Sequence, residues 1–206
     1  MSEAHTLSRQ RSAVASAWAL AAVLLVAGCA SPPPPRALVI IPSAPPASAS
    51  AAQATPSAGI ALSPLRLPEH WQRRQVLHLR QDAELVAWPD AVWAERVETG
   101  MTRRLSQALR QRAPELGWWT GDDALSPRRL LVEVQQLDVH AARGEVVGTL
   151  NWRVVDRQGR VLDGGSLASP LHAPIGDAQQ EAEALAKWLD AQADALAQRV
   201  RSLPAH

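Results

Sequence analysis

The chain has 206 residues, a formal net charge of +1 and a hydrophobic content of 47%. This balance of charge gives no sign of a nucleic-acid ligand or of a strongly acidic partner. The single cysteine cannot form an internal disulfide, so a folded domain of this chain must be stabilised by packing alone.

The N-terminus has the order of features that is typical of a secretory signal peptide. Arg9 and Arg11 supply positive charge, and an uncharged, largely apolar run follows at 13–28. As a helix this run would be roughly 24 Å long, which is short for a hydrocarbon core of about 30 Å. We therefore interpret 1–28 as a signal peptide that is removed from the mature chain.

The end of this run, Val26-Ala27-Gly28-Cys29, resembles the bacterial lipobox. In that motif the thiol receives a diacylglycerol and the peptidase then cuts before the cysteine, so Cys29 is the predicted lipid attachment point. The next residue is Ala30, where an aspartate would resemble an inner-membrane retention signal. We therefore expect the periplasmic face of the outer membrane of a Gram-negative cell. The alternative is an ordinary signal peptide, or a simple membrane anchor, with an incidental cysteine.

The stretch 30–64 is rich in Pro, Ala and Ser, and such sequence buries too little apolar surface to offset the entropy of ordering it. One apolar, β-branched island, RALVII at 36–41, interrupts it and is predicted to be a strand of the domain. The island could instead be an unstructured apolar patch. The predicted organisation is a tether at 29–35 and a domain at 36–204, with a disordered loop at 43–58.

The following segments alternate between strand and helix patterns. The segments GIALSPLRLP, QVLHLR and ELVAW read as strands, and Asp90 is then the predicted N-cap of a helix. Pro114 and Gly117 end this helix. Its apolar stripe recurs every fourth residue and contains Trp93, Val97, Met101, Leu105 and Leu109.

The C-terminal half predicts an antiparallel meander and a second helix. Three strand-like segments with short turns cover 128–169, and the apolar phase slips near Gln135-Gln136, which predicts a β-bulge there. Asp177 and Gln180 predict a capping arrangement at the start of the last helix. We expect Trp188 to border the apolar stripe of this helix and to be half-buried.

These elements predict an α+β fold with an antiparallel-rich mixed β-sheet and two main helices packed on it. The chain has no Gly-rich phosphate loop, nucleophile elbow or zinc-protease motif, and its histidines are scattered. Glu181 and Glu183 are two positions apart on a helix and face differently, so they are a poor acid–base pair. We expect no cofactor, no metal site and no catalytic residues.

Trp118 and Trp119 are the remaining candidates for a functional surface. Adjacent residues on a strand point to opposite faces, so one of the two should point outward if the other packs in the core. An outward Trp is a candidate partner surface. A Trp lying flat under a loop is the alternative, and a homo-oligomer interface would look the same as a partner surface.

The chain resembles the ABC-type transport auxiliary lipoproteins, the family that includes paraquat-inducible protein C. After the lipobox, PPPPRALVII is similar to the Pro-rich start and first strand of that family, and ALSPLRLPEHWQRRQVLHLR to the next two strands. WAERVETGMTRRLSQAL resembles its first helix, which opens on a Trp-Ala pair, here Trp93-Ala94. LLVEVQQLDVHAARGEVVGTLNWRVVDRQGRVL resembles its central hairpins. The likeness extends over most of 29–203.

This resemblance implies a non-enzymatic role beside an MCE-type periplasmic protein and an inner-membrane permease or ABC transporter. Such systems are thought to move phospholipids or other hydrophobic molecules between the inner and outer membranes and so to support envelope integrity. The rival class is a cell-envelope assembly lipoprotein, either a peptidoglycan synthase activator or a lipopolysaccharide-assembly factor. A periplasmic hydrolase would need a motif that the chain lacks.

Overall fold

The computed structural model describes residues 36–45, 59–81, 83–121 and 126–203. The strands and helices in these ranges are β1 Ala37–Val39, β2 Ile60–Leu62, β3 Gln75–Arg80, β4 Glu84–Trp93, α1 Val97–Arg112, β5 Trp118–Thr120, β6 Arg128–His140, β7 Glu145–Asp156, β8 Val161–His172 and α2 Ala178–Arg201. Short 3-10 turns cover Glu69–Gln72, Pro114–Leu116 and Ala141–Arg143. The predicted α+β class is confirmed.

The strands divide between two sheets. One has the order β1-β4-β3 and the other the order β5-β2-β6-β7-β8. The meander β6-β7-β8 is antiparallel, as predicted, whereas β1 pairs with β4, and β2 with both β5 and β6, in parallel. Parallel pairs join segments that no short turn connects, so hairpin reasoning could not find them.

The predicted bulge in β6 is present. The register between β6 and β7 shifts between Val134 and Gln136, which keeps apolar side chains on one face along the whole strand. Leu130, Val132 and Val134 precede the shift and are buried, and Leu137 and Val139 are buried after it. The bulge thus preserves the hydrophobic face that a continuous strand would have turned outward.

The prediction that Asp90 caps the first helix is wrong. Asp90 lies inside β4 with φ of 52°, and α1 begins at Val97 after Arg96. Between the pairs Gln75–Val92 and Leu77–Ala87, β4 contains more residues than β3, so the chain bulges around Pro89 and Asp90. Asp tolerates a positive φ and Pro cannot donate to a ladder, so both residues suit a bulge as well as a helix start.

Two helices pack on the apolar faces of the sheets. Val97, Met101, Leu105 and Leu109 form the buried stripe of α1, as predicted. Trp93, assigned to that stripe from the sequence, is equally buried but belongs to β4. The core therefore contains the expected side chains even though the helix starts later than expected.

The start of α2 is capped as the sequence predicts. The Asp177 side chain accepts a hydrogen bond from the Gln180 backbone N–H at 2.8 Å, and Gln180 Oε1 accepts one from the Gly176 N–H at 2.7 Å. Trp188 is not half-buried but fully buried, because its ring lies over Gly148 in β7 and its N–H donates to the Ser169 carbonyl at 3.0 Å. The missing side chain at Gly148 creates the space for the indole ring.

The segment after β1 lies along α1. Arg103 donates to the Ile41 carbonyl at 3.0 Å, and Arg104 to the Pro42 carbonyl at 3.2 Å. Gln107 Oε1 accepts a hydrogen bond from the Ala44 N–H at 2.7 Å. The first residues of the predicted loop 43–58 are therefore held by the helix, and 46–58 lie outside the described residues.

Candidate functional surface

The predicted lipidation site lies outside the described part of the chain. The described residues begin at Arg36, seven positions after Cys29, so Cys29 and the lipobox residues Val26, Ala27 and Gly28 have no structural account. The same holds for the predicted tether 29–35. Within 36–45, 59–81, 83–121 and 126–203, no helix is long and apolar enough to cross a membrane.

The adjacent tryptophans of β5 point to opposite faces of the five-stranded sheet. Trp118 is in the core, with 6% of its surface exposed, and its indole N–H donates to the Ala113 carbonyl at 2.8 Å. Trp119 is half-buried on the other face. The outward member of the pair is therefore Trp119, and Trp118 is a core residue.

Trp119 packs closely on the backbone of the neighbouring strand. A Cβ atom at Gly59 would lie 2.1 Å from Trp119 Nε1, so only glycine allows the indole to lie flat there. The Nε1 atom is buried and has no hydrogen-bond partner. Trp119 thus presents one edge of its ring to solvent and packs with the other. It has features of both alternatives, the outward partner surface and the Trp that lies flat against the chain.

A groove lies on the same outer face of the five-stranded sheet, and of the described helices only α1 reaches it, through Glu98 in its first turn. We call it the sheet groove; its volume is about 1080 Å³, and Ser63, Leu131, Asn151 and Val161 are among its lining residues. Register places Trp119 beside Ala61 and Ala61 beside Arg129, so the groove and Trp119 share one face. Its charged lining residues are Arg66, Glu98, Arg129, Glu133 and Arg153.

This lining suits a polar protein surface better than an acyl chain. Both charge signs are present in the sheet groove, and a hydrocarbon tail placed there would desolvate them without compensation. A partner that carries polar groups and one apolar side chain against Trp119 would match it. No sequence pattern indicated this groove, because its residues come from β6, β7, β8, the loop after β2 and the first turn of α1.

The structure also contains a buried carboxyl group, a feature common in functional sites, which the sequence analysis did not identify. Glu181, in the first turn of α2, has no exposed surface, and its Oε2 accepts the indole N–H of Trp88 at 2.6 Å. Its Oε1 is buried without a partner. Burial raises the pKa of Glu181 to about 8, although the Trp88 hydrogen bond acts in the opposite direction.

Glu181 has no exposed surface, whereas Trp88 and His78 beside it are half-buried. The other side of Trp88 lies against His78, with ring centroids 4.3 Å apart, and burial together with Arg80 lowers the pKa of that histidine. The helical spacing could have predicted the burial of Glu181. This residue lies one turn before buried Leu185, on the stripe that also contains Trp188 and Gln192. Glu183, in contrast, is half-buried and does not join the cluster.

The described residues contain no metal-binding cluster. No group of three or more His, Cys, Asp or Glu side chains is close enough to hold a metal ion in that part of the chain. The geometry of the described residues therefore offers a surface with Trp119 and the sheet groove, and a polar cluster around the buried Glu181.

The sequence model of a known family matches residues 41–200, which is most of the chain. Its description is "ABC-type transport auxiliary lipoprotein component". The chain belongs to this family. The match covers all the strands and helices after β1 and nearly all of α2, so it applies to the whole two-sheet fold and not to one motif.

Solved structures are similar to this fold at low sequence identity. One is a crystal structure of an uncharacterised protein, with a TM-score of 0.62 and 15% identity over 81% of this chain and 99% of that one. Another is protein XCC0632 from Xanthomonas campestris, of the family model DUF330, with a TM-score of 0.59 and 14% identity over 80% of this chain and 94% of that one. At these identities the likeness shows the fold alone. No curated protein sequence matches the chain.

Proposed function

We propose that this family member is a lipid-anchored, non-catalytic docking component at the periplasmic face of the outer membrane. It would serve an MCE-type system that moves phospholipids or other hydrophobic molecules between the membranes, together with an inner-membrane permease or ABC transporter. The observation that carries the proposal is the family match over 41–200, because it spans nearly the whole fold.

The anchor part of the proposal rests on the lipobox sequence. A thiol that receives a diacylglycerol at Cys29, with a further acyl chain on the new N-terminus, would hold the chain firmly, because each buried CH₂ contributes about 0.8 kcal/mol. One acyl chain alone would give only reversible binding. A docking component needs the firm kind of attachment, since it must remain at one membrane while its partner spans the periplasm.

The non-catalytic part is supported by the chemistry of the described residues. Glu181 has the strongly raised pKa that general acids have, but it is fully buried and bonded to Trp88. The described lining of the sheet groove mixes apolar side chains with guanidinium, carboxylate and amide groups, and it contains no cysteine, histidine or lysine. These groups bind and orient protein surfaces without any need for covalent chemistry.

The partner surface that we propose is Trp119 with the adjoining sheet groove. Trp119 and Arg129 are on the same face of the sheet with Ala61 of β2 between them, and the groove extends this surface toward Arg153. Aromatic and arginine side chains are those that contribute most to protein interfaces. The helices pack on the opposite face of the sheet, so a partner could bind here without disturbing the core.

The test is site-specific photocrosslinking in cells that make the partner system. A photoreactive amino acid would replace Trp119 or Arg153, and Lys187, which is exposed on α2 on the helix side, would be the matched control. We expect the MCE protein in the crosslinked products of the first two positions and not of the third. Capture of a peptidoglycan synthase or a lipopolysaccharide-assembly protein without the MCE protein would replace the proposal with the rival class. Equal capture from all three positions would reject the surface.

A further inference from the structure

The three-stranded sheet presents an apolar face that no helix covers. Leu38 is 67% exposed, Ile40 53% and Leu85 44%, and these are three of the four large hydrophobic side chains that are exposed in the described chain. Leu38 lies beside Val92 and Gln75 in the register of the sheet, and Leu85 lies beside Leu79, which is on the same face of β3 as Gln75. Ile40 is exposed between buried Val39 and Ile41, so it continues the side of Leu38. We call this side the outer apolar face.

The opposite side of the same sheet packs in the hydrophobic core. Val39, Val76 and Trp93 alternate with the outward residues along their strands and are buried. Ile41 lies against Gly100 of α1, and Trp88 reaches Glu181 of α2, so both helices are on this inner side. Both helices of the described chain therefore lie on the inner side and do not cover the outer apolar face.

A shallow hollow continues the outer apolar face across β3 and β4. Its volume is about 610 Å³, and Leu77, Leu85 and Ala87 form its apolar part. Glu69, His70, Arg73 and Gln75 line its polar edge. An apolar centre with a polar edge of mixed charge fits the interfacial region of a bilayer, where side chains such as Arg keep their charged ends in water.

The position of the chain's N-terminal side decides which occupant this face has. The described fold begins at Arg36 and enters β1 at once, and Leu38 and Ile40 are in and directly after that strand. Only six residues separate Cys29 from Arg36, and a fully extended chain of this length reaches no more than about 25 Å. An acylated Cys29 therefore keeps β1, an edge strand, close to the lipid surface.

We propose that the outer apolar face lies on the bilayer that holds the lipid anchor, with Leu38 and Ile40 inserted into its interface. This inference rests on the proposed acylation of Cys29. The short tether raises the effective concentration of lipid at the face, and this favours contact of the exposed Leu38 and Ile40 with the bilayer. The contact turns the sheet groove, on the other sheet, into a surface with a fixed orientation relative to the membrane.

The test uses the fact that the sequence has one cysteine. In the acylated chain the Cys29 thiol is blocked, so a second cysteine can be labelled selectively with an environment-sensitive dye. Leu38→Cys, Ile40→Cys and Leu85→Cys report on the face, and Val161→Cys, 57% exposed at the start of β8, is the matched control. Each labelled chain is reconstituted into vesicles of phosphatidylethanolamine and phosphatidylglycerol, with or without a nitroxide-bearing lipid.

We expect a blue shift and a loss of emission with the nitroxide lipid for the dyes at positions 38 and 40, a weaker response at 85, and none at 161. Equal responses at 38 and 161, with both dyes open to an aqueous quencher, would overturn the proposal. The dyes at 38 and 40 could instead be protected from the aqueous quencher and yet not be quenched by the nitroxide lipid. That result would show a contact with protein, such as a second copy, and would also overturn the proposal. Mass spectrometry of each preparation tests acylation separately, so an unmodified Cys29 would show that the anchor proposal has failed and this one with it.

Discussion

Trp88 of β4 donates its indole N–H to the carboxyl group of Glu181 in α2 across 2.6 Å, and the two residues are 93 positions apart. This hydrogen bond joins the three-stranded sheet to the first turn of the second helix. It is also the one polar contact made by a carboxyl group that has no exposed surface and whose other oxygen has no partner.

The first prediction concerns the pH dependence of stability. The pKa of Glu181 is raised from 4.5 to about 8 in the folded chain, so between these values the folded state binds more protons than the unfolded state. The contribution of Glu181 to stability is therefore fully present below about pH 4.5 and is lost as the pH rises through about 8, with a slope of at most about 1.4 kcal/mol per pH unit.

Glu181→Gln isolates this contribution. The amide keeps an acceptor for Trp88 and cannot ionise, so we expect the free energy of unfolding of the variant to fall less than that of the wild type between pH 5 and pH 9. Chemical denaturation across this range is the measurement. His78, whose pKa is lowered, changes stability in the opposite direction and remains in both chains. Parallel curves for the two proteins would contradict the raised pKa.

Features that depend on residues close together in the sequence could be predicted from it, whereas contacts between distant segments could not. The bulge at Gln136 and the cap formed by Asp177 and Gln180 depend on neighbours within a few positions, and both were predictable. The Trp88–Glu181 contact and the parallel pairing of β1 with β4 join distant segments, and no local pattern encodes them. Asp90 was assigned wrongly because an aspartate fits a helix start and a positive-φ bulge equally well.

The second prediction concerns the contact between Gly148 and Trp188. A Cβ atom at Gly148 would lie 2.4 Å from the ring of Trp188, which is fully buried and cannot move away freely. We expect Gly148→Ala to lower the free energy of unfolding by about 1–3 kcal/mol, the usual cost of overpacking a core. Thermal or chemical denaturation would measure it.

Gly165→Ala is the matched control for this prediction. Gly165 is also a strand glycine beside a tryptophan, but its added Cβ would lie 3.4 Å from Trp152, an ordinary contact. We expect no comparable loss of stability there. In a Trp188→Leu background the cost of Gly148→Ala should shrink, since the colliding ring is absent. An unchanged cost in that background would show that the effect does not come from the Trp188 ring.

The third prediction concerns the more buried of two ion pairs that join the two helices, Arg104–Asp190 and Arg112–Asp194. Arg104 of α1 contacts Asp190 of α2 through two hydrogen bonds of 3.0 and 2.5 Å, and the side chain of Arg104 is only 10% exposed. Removing the guanidinium leaves Asp190 and the Pro42 carbonyl without this donor. We expect Arg104→Ala to cost about 1–3 kcal/mol, because Asp190 keeps some access to water.

Arg80→Ala is the control, because Arg80 forms an exposed pair with Glu84 in which both side chains are more than half exposed. Exposed pairs contribute little to stability, so we expect no measurable change from it. A double-mutant cycle of Arg104→Ala and Asp190→Ala measures the coupling between the partners. Equal losses from Arg104→Ala and Arg80→Ala would contradict the role assigned to the helix-joining pair.

The last prediction concerns the anchor. Cys29→Ser removes the sulfur nucleophile that receives the diacylglycerol, so the variant should no longer incorporate a palmitate analogue and should not yield the lipidated mature form.

Ala30→Asp leaves that thiol in place but creates the residue that resembles an inner-membrane retention signal. We therefore expect this second variant to label normally and to move from the outer-membrane to the inner-membrane fraction, as measured by density-gradient separation of labelled cells. Normal labelling of Cys29→Ser would disprove lipidation at this position. An unchanged distribution of a labelled Ala30→Asp chain would leave lipidation intact and remove the sequence argument for the outer membrane.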